Sequence, residues 1–80
     1  MNTVKCFAYL SEVLGDEVAL ALPETLNRDV VLSALTEAFP LQKDLLATCN
    51  VAIERAYVFD THVKNRPDLE IALIPPVSGG

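Results

Sequence analysis

Residues 3–10, Thr-Val-Lys-Cys-Phe-Ala-Tyr-Leu, alternate so that Val4, Cys6, Ala8 and Leu10 share one side and Lys5, Phe7 and Tyr9 the other. A period of two predicts a strand with one buried face, and it turns two aromatics away from that face. Gly15-Asp16 signals a turn. Residues 17–22 then predict a second strand that pairs back on the first and ends at Pro23. A helix start follows: Asn27 is a capping residue, Asp29 suits the positive end of the helix dipole, and Leu26 and Val31 stand at staple positions across the cap. Val31, Ala34, Leu35 and Ala38 recur at i, i+3, i+4 and i+7, the spacing of an amphipathic helix, which Pro40 brings to an end.

Residues 41–48 predict a second, short helix. Residues 51–58 are strand-like, with a bend at Glu54-Arg55, and residues 60–70 are polar and loop-like around Asn65-Arg66-Pro67-Asp68. Residues 70–74, Glu-Ile-Ala-Leu-Ile, predict a last short strand. The order strand, strand, helix, short strands, strand predicts an α+β roll of the ubiquitin-like (β-grasp) type, a mixed sheet with one main helix on one face. Residues 1–74 form the domain and residues 75–80 an extended tail.

Composition narrows the function. Eighty residues suffice for one core, and 51% apolar residues are too many for a disordered chain. No apolar run reaches the roughly 20 residues of a membrane span. The opening Met1-Asn2-Thr3-Val4-Lys5 lacks the marks of a secretory signal, so the expected compartment is the cytoplasm. A net charge of −5 argues against nucleic acid and anionic membranes as partners and favours basic protein surfaces. Cys6 and Cys49 lack metal-ligand spacing and read as reduced, packed thiols. Asp60-Thr61-His62 reads as a surface loop and Glu54-Arg55 as a solvated bend. No metal cluster or phosphate-binding glycine loop is visible.

The last six residues, Pro75-Pro76-Val77-Ser78-Gly79-Gly80, carry the strongest functional signal. Two prolines remove two backbone donors and favour an extended chain that leaves the sheet. Six extended residues reach about 20 Å. Gly79 and Gly80 have no side chains, so the tip fits a channel that any Cβ would block.

This ending, Ile74-Pro-Pro-Val-Ser-Gly-Gly80, resembles that of the small subunits of molybdopterin synthases, a family of β-grasp sulfur carriers. The resemblance extends over the chain through Phe7-Ala8-Tyr9-Leu10, Glu12-Val13-Leu14-Gly15, the central helix and residues 51–58. Two features depart from the family pattern: Ile74 stands where an aromatic is usual, and Pro67-Asp68-Leu69-Glu70 replaces Gly-Asp-Glu-Val. The resemblance implies that Gly80 is adenylated by a ubiquitin-activating-type adenylyltransferase using ATP and becomes a thiocarboxylate. Sulfur then passes to a cyclic pterin precursor in the large subunit of molybdopterin synthase, within a heterotetramer built through that subunit. It implies that Gly79, Ser78, Val77, Pro76 and Pro75 insert into the partner. It also implies that the chain binds no cofactor itself and is inert alone.

On the last strand Ile71 and Leu73 share one side and Ala72 and Ile74 the other. With the first pair facing the helix, Ile74 joins Phe7 outside, and Tyr57 matches a family contact position. Phe7, Tyr57 and Ile74 are thus expected to form an apolar partner-binding patch beside the tail root. Three other readings share these features: a β-grasp carrier serving thiamine or tRNA thiolation, a modifier that Gly80 joins to lysines, and an interaction module whose tail does no chemistry.

Overall fold

The computed structural model describes residues 1–76. The first strand, β1 (Asn2–Cys6), alternates as expected: Val4 and Cys6 are buried and Thr3 and Lys5 exposed. It pairs antiparallel with β2 (Glu17–Leu20) and parallel with the last strand, β7 (Ile71–Ile74). β7 in turn pairs antiparallel with β4 (Asn50–Ile53), and β4 with β5 (Ala56–Val58). The sheet order is β2-β1-β7-β4-β5. One face packs on helix α2 (Arg28–Ala38) through Val31, Leu32 and Leu35. A mixed sheet wrapped around one helix is the β-grasp fold.

The core is the inner set of every strand. Val4, Val51, Ile71 and Leu73 are fully buried beneath Val31 and Leu35, together with Leu26 and Leu46. Asn27 caps α2, accepting from the Val30 N–H at 2.9 Å, and both staple residues, Leu26 and Val31, are fully buried. Part of the expected stripe is rotated: Leu32 is buried and Ala38 exposed. The larger side chain removes more apolar surface from water, and Phe39, just past the helix, packs on the cluster in place of Ala38. Pro40 opens a 3-10 turn (Pro40–Gln42) leading into α3 (Lys43–Leu46). Arg28 holds the end of α3, donating from Nε to the Cys49 carbonyl and from Nη2 to the Ala47 carbonyl, each at 3.1 Å.

The first strand ends four residues earlier than its alternation predicts. β1 stops at Cys6, and residues 9–14 form helix α1 (Tyr9–Leu14). Leu10 and Leu14, four apart, are both buried; helical spacing buries two leucines where a strand would have buried Ala8 and Leu10. The break falls at Ala8, exposed with φ 54° and ψ −136°. Few L-residues occupy that region, at a cost of about 1–3 kcal/mol. Ala8→Gly gives back roughly 0.5–1 kcal/mol as lost chain entropy, so the variant is expected to melt a few degrees higher, and Ala8→Val lower, by calorimetry. Gly15, at φ 97°, ends α1 and donates to the Ser11 carbonyl at 2.9 Å, so the expected turn at Gly15-Asp16 holds. β2 is two residues shorter than its apolar run.

The polar stretch 60–70 contains a strand that alternation does not reveal. β6 (Val63–Lys64) pairs with β3 (Thr25–Leu26) as a separate two-stranded ribbon. Beside it, Asn2 and Asn65 exchange side-chain amide hydrogen bonds of 2.8 and 2.9 Å. Asn65 Nδ2 also donates to the Pro23 carbonyl and Asn2 Nδ2 to that of Arg66. This clasp satisfies Asn2, the one buried polar residue among those described, and pins the entry to β7 against β1.

Candidate functional site

The outer face of the sheet is open. Its central row runs Lys5–Ala72–Ala52–Tyr57 across four strands, as the registers require. Two alanines in the middle make a low floor. One row further along, at the ends of β1 and β7, Phe7 and Ile74 rise beside it. The result is a groove of about 390 Å³ walled by Phe7, Tyr57 and Ile74 and closed at one end by the Arg55–Glu70 ion pair of 3.1 Å. The three residues expected to form a patch do line one surface: Phe7 is 48% and Tyr57 59% exposed, and Ile74 is half-buried.

Sequence reasoning missed part of this face. Phe59, 56% exposed, stacks on Tyr57 with ring centroids 6.4 Å apart. Their i, i+2 spacing on one strand was the available signal, and a strand ending at Val58 hides it. Tyr9 is exposed too, so four of the five aromatics of the chain face solvent. Aromatics dominate cores and interfaces through the area they bury; here the core is aliphatic and the aromatics stand outside.

The hairpin beneath the groove is fixed by charge. Glu54 and Arg55 both have positive φ, 51° and 68°, as a two-residue type I′ turn requires. Neither is the Gly or Asn such turns favour. Glu54 accepts from Arg66 Nη2 at 2.6 Å and from the Glu70 N–H at 3.2 Å, and its own N–H donates to the Glu70 carbonyl at 2.8 Å. The bend is thus a clamped turn that holds β5, and with it Tyr57, against β4.

The tail leaves from the end of the sheet opposite this hairpin, at the Phe7 and Ile74 side of the groove. β7 finishes at Ile74, Pro75 is half-buried and Pro76 exposed. Val77, Ser78, Gly79 and Gly80, expected to insert or react, lie outside the described residues. Cys6 and Cys49 are free, buried thiols. Burial pushes both above the usual thiol range, helped at Cys6 by the neighbouring Cys49 and Asp16; such thiols are poor nucleophiles. His62 is exposed in its loop.

No protein-family model matches the chain, and no curated protein is significantly similar to it in sequence. Among the described residues no group of three His, Cys, Asp or Glu side chains converges as a metal site, and no helix is long and apolar enough to cross a membrane.

Proposed function

We propose that this chain is a cytoplasmic sulfur carrier of the molybdopterin synthase small-subunit type, with Gly80 as its reacting residue. One observation supports the reading above all: on a β-grasp body, the central strand runs out at Ile74 into Pro75-Pro76-Val77-Ser78-Gly79-Gly80, beside an open groove walled by Phe7, Tyr57 and Ile74.

A terminal carboxylate, with pKa about 3.3–3.7, is ionised at neutral pH and resists nucleophiles. A ubiquitin-activating-type adenylyltransferase transfers AMP from ATP to Gly80 and releases pyrophosphate. A sulfur donor displaces AMP from the acyl carbon, leaving a thiocarboxylate in which one oxygen has become sulfur. In the large subunit of the synthase this sulfur attacks the pterin precursor, and hydrolysis of the acyl link returns the carboxylate. The groove serves as the docking face for both partners, and the tail delivers the reacting atom into pockets whose cationic and acid–base groups belong to the partner.

Intact mass spectrometry tests the chemistry: with ATP, a sulfide source and the activating enzyme, the chain is expected to gain about 16 Da at its C-terminus, the difference between sulfur and oxygen. An unchanged mass rejects the reading, and lysine adducts on other proteins favour a modifier instead. Phe7→Arg and Ile74→Arg each place a charge in an apolar contact. They are expected to weaken binding to both partners about tenfold or more by calorimetry, on the scale of interface hot spots, with normal melting.

A further inference from the structure

The turn between β4 and β5 carries residues that its own shape disfavours. Two-residue turns with positive φ at both central positions prefer Asn-Gly, Asp-Gly or Gly-Gly. Glu54 and Arg55 hold φ 51° and 68° instead. Long side chains rarely occupy that region, and they persist there only when their surroundings over-determine them.

Those surroundings come from residues 66–70. Arg66 divides its guanidinium, Nη2 donating to Glu54 at 2.6 Å and Nε to Asp68 at 3.1 Å. Its backbone is fixed in turn: the Arg66 carbonyl accepts from Asn2 Nδ2 at 3.0 Å and from the Leu69 N–H at 3.2 Å. Asn2 is buried on β1, so Glu54 is tied through Arg66 to the body of the sheet. A lone ion pair as exposed as this one, 54% at Arg66 and 47% at Glu54, contributes little. Here the second Glu54 oxygen also accepts from the Glu70 N–H, and the carboxylate is held at both ends.

The turn matters because of the strand that follows it. β5 has three residues and a single neighbour, β4. Only Val58 of the three is buried, and Tyr57 forms a wall of the groove. At its far end the Phe59 carbonyl accepts from the Arg28 N–H at 3.3 Å. At the turn end the fastenings are the Glu54 contacts and the Arg55–Glu70 pair, whose arginine is 87% exposed.

We propose that Arg66, which stands outside the groove, is a positioning residue for its wall: acting through Glu54, it keeps the 54–55 turn closed and Tyr57 in place. The consequence for docking rests on the role proposed above for the groove; the hold on the turn does not.

Hydrogen exchange of the full chain reads the turn directly. The Glu54 N–H bonds to Glu70 on the β7 side, so the Ile53 groups point to β5 and the Ile53 carbonyl takes the Ala56 N–H. In Arg66→Ala and in Glu54→Ala this amide is expected to exchange about tenfold faster, the scale of one charge-assisted hydrogen bond, while amides of β1 and β7 stay within about twofold of wild type. Glu54→Asn combined with Arg55→Gly gives the turn residues that suit it. Adding Arg66→Ala to that pair is expected to leave Ala56 exchange slow, a rescue that a general stabilising role would not produce.

Unchanged Ala56 exchange in Arg66→Ala overturns the proposal, as does equal acceleration throughout the sheet or fast exchange in the triple variant. Calorimetry against the large subunit reads the consequence: Arg66→Ala is expected to weaken binding severalfold with the native turn and not with the altered one. An equal loss with both turns would make Arg66 a direct contact and overturn its positioning role. The exchange readouts involve neither partner nor sulfur, so their failure leaves the carrier reading untouched.

Discussion

A single alanine appended after Gly80 is expected to abolish sulfur transfer to the pterin precursor. On the carrier reading the reacting group is the terminal thiocarboxylate of the last residue, whose sulfur attacks the pterin precursor. One more residue moves it about 3.5 Å along the channel and puts a Cβ where glycine leaves none. Misplacement of a reacting group by about 1 Å already costs on the order of 100-fold, so loss beyond 100-fold in single-turnover transfer is the expected result. The 16 Da gain, read by mass spectrometry before any trimming, should fall with it if the activating enzyme threads the same tip. Melting temperature and partner affinity should stay near wild type, because the body and the groove are untouched. A lengthened chain that loads and transfers sulfur at the normal rate would place the chemistry elsewhere.

How much of this molecule was readable beforehand depended on the length of each pattern. The helix at residues 28–38 has a cap, a staple and a stripe that agree on its place, and the structure keeps the cap and the staple while its buried face takes in Leu32 and leaves Ala38 out. The last strand was legible to the side chain, since Ile71 and Leu73 go inward and Ala72 and Ile74 outward. Where two periods fit the same residues, the reading failed. Leu10 suits a strand alternating from Val4 and equally a helix running to Leu14, and only the backbone break at Ala8 decides between them. β3 and β6 have two residues each, too few for any alternation, and their pairing comes from tertiary context around Leu26.

The candidate site was half legible for a related reason. Phe7, Tyr57 and Ile74 belong to different strands, and alternation assigned each to the outer face without their neighbours. The groove between them depends on Ala52 and Ala72 being adjacent, which is a matter of register between β4 and β7. No local signal carries register across the intervening turn, short strands and loops. The clamp at Glu54 and Arg55 is hidden likewise, because its partners Arg66 and Glu70 lie more than ten residues on.

Leu73→Ala is expected to be the most damaging single change to the body. Leu73 lies on the central strand, beside Cys6 on β1 and Val51 on β4, and is fully buried. Truncating a buried leucine costs about 2–5 kcal/mol, through lost burial and the cavity left behind. For 80 residues the whole stability is about 4–12 kcal/mol, so about a sixth of it or more rests on this side chain. At about 4–8 °C per kcal/mol for a domain of this size, melting should fall by roughly 8–40 °C. Ile74→Ala, one residue on but facing outward and half-buried, should cost about 1 kcal/mol and weaken partner binding instead. The contrast separates the two faces of one strand. Equal melting of the two variants would mean that β7 does not hold the observed alternation, and the groove with Ile74 in its wall would go with it.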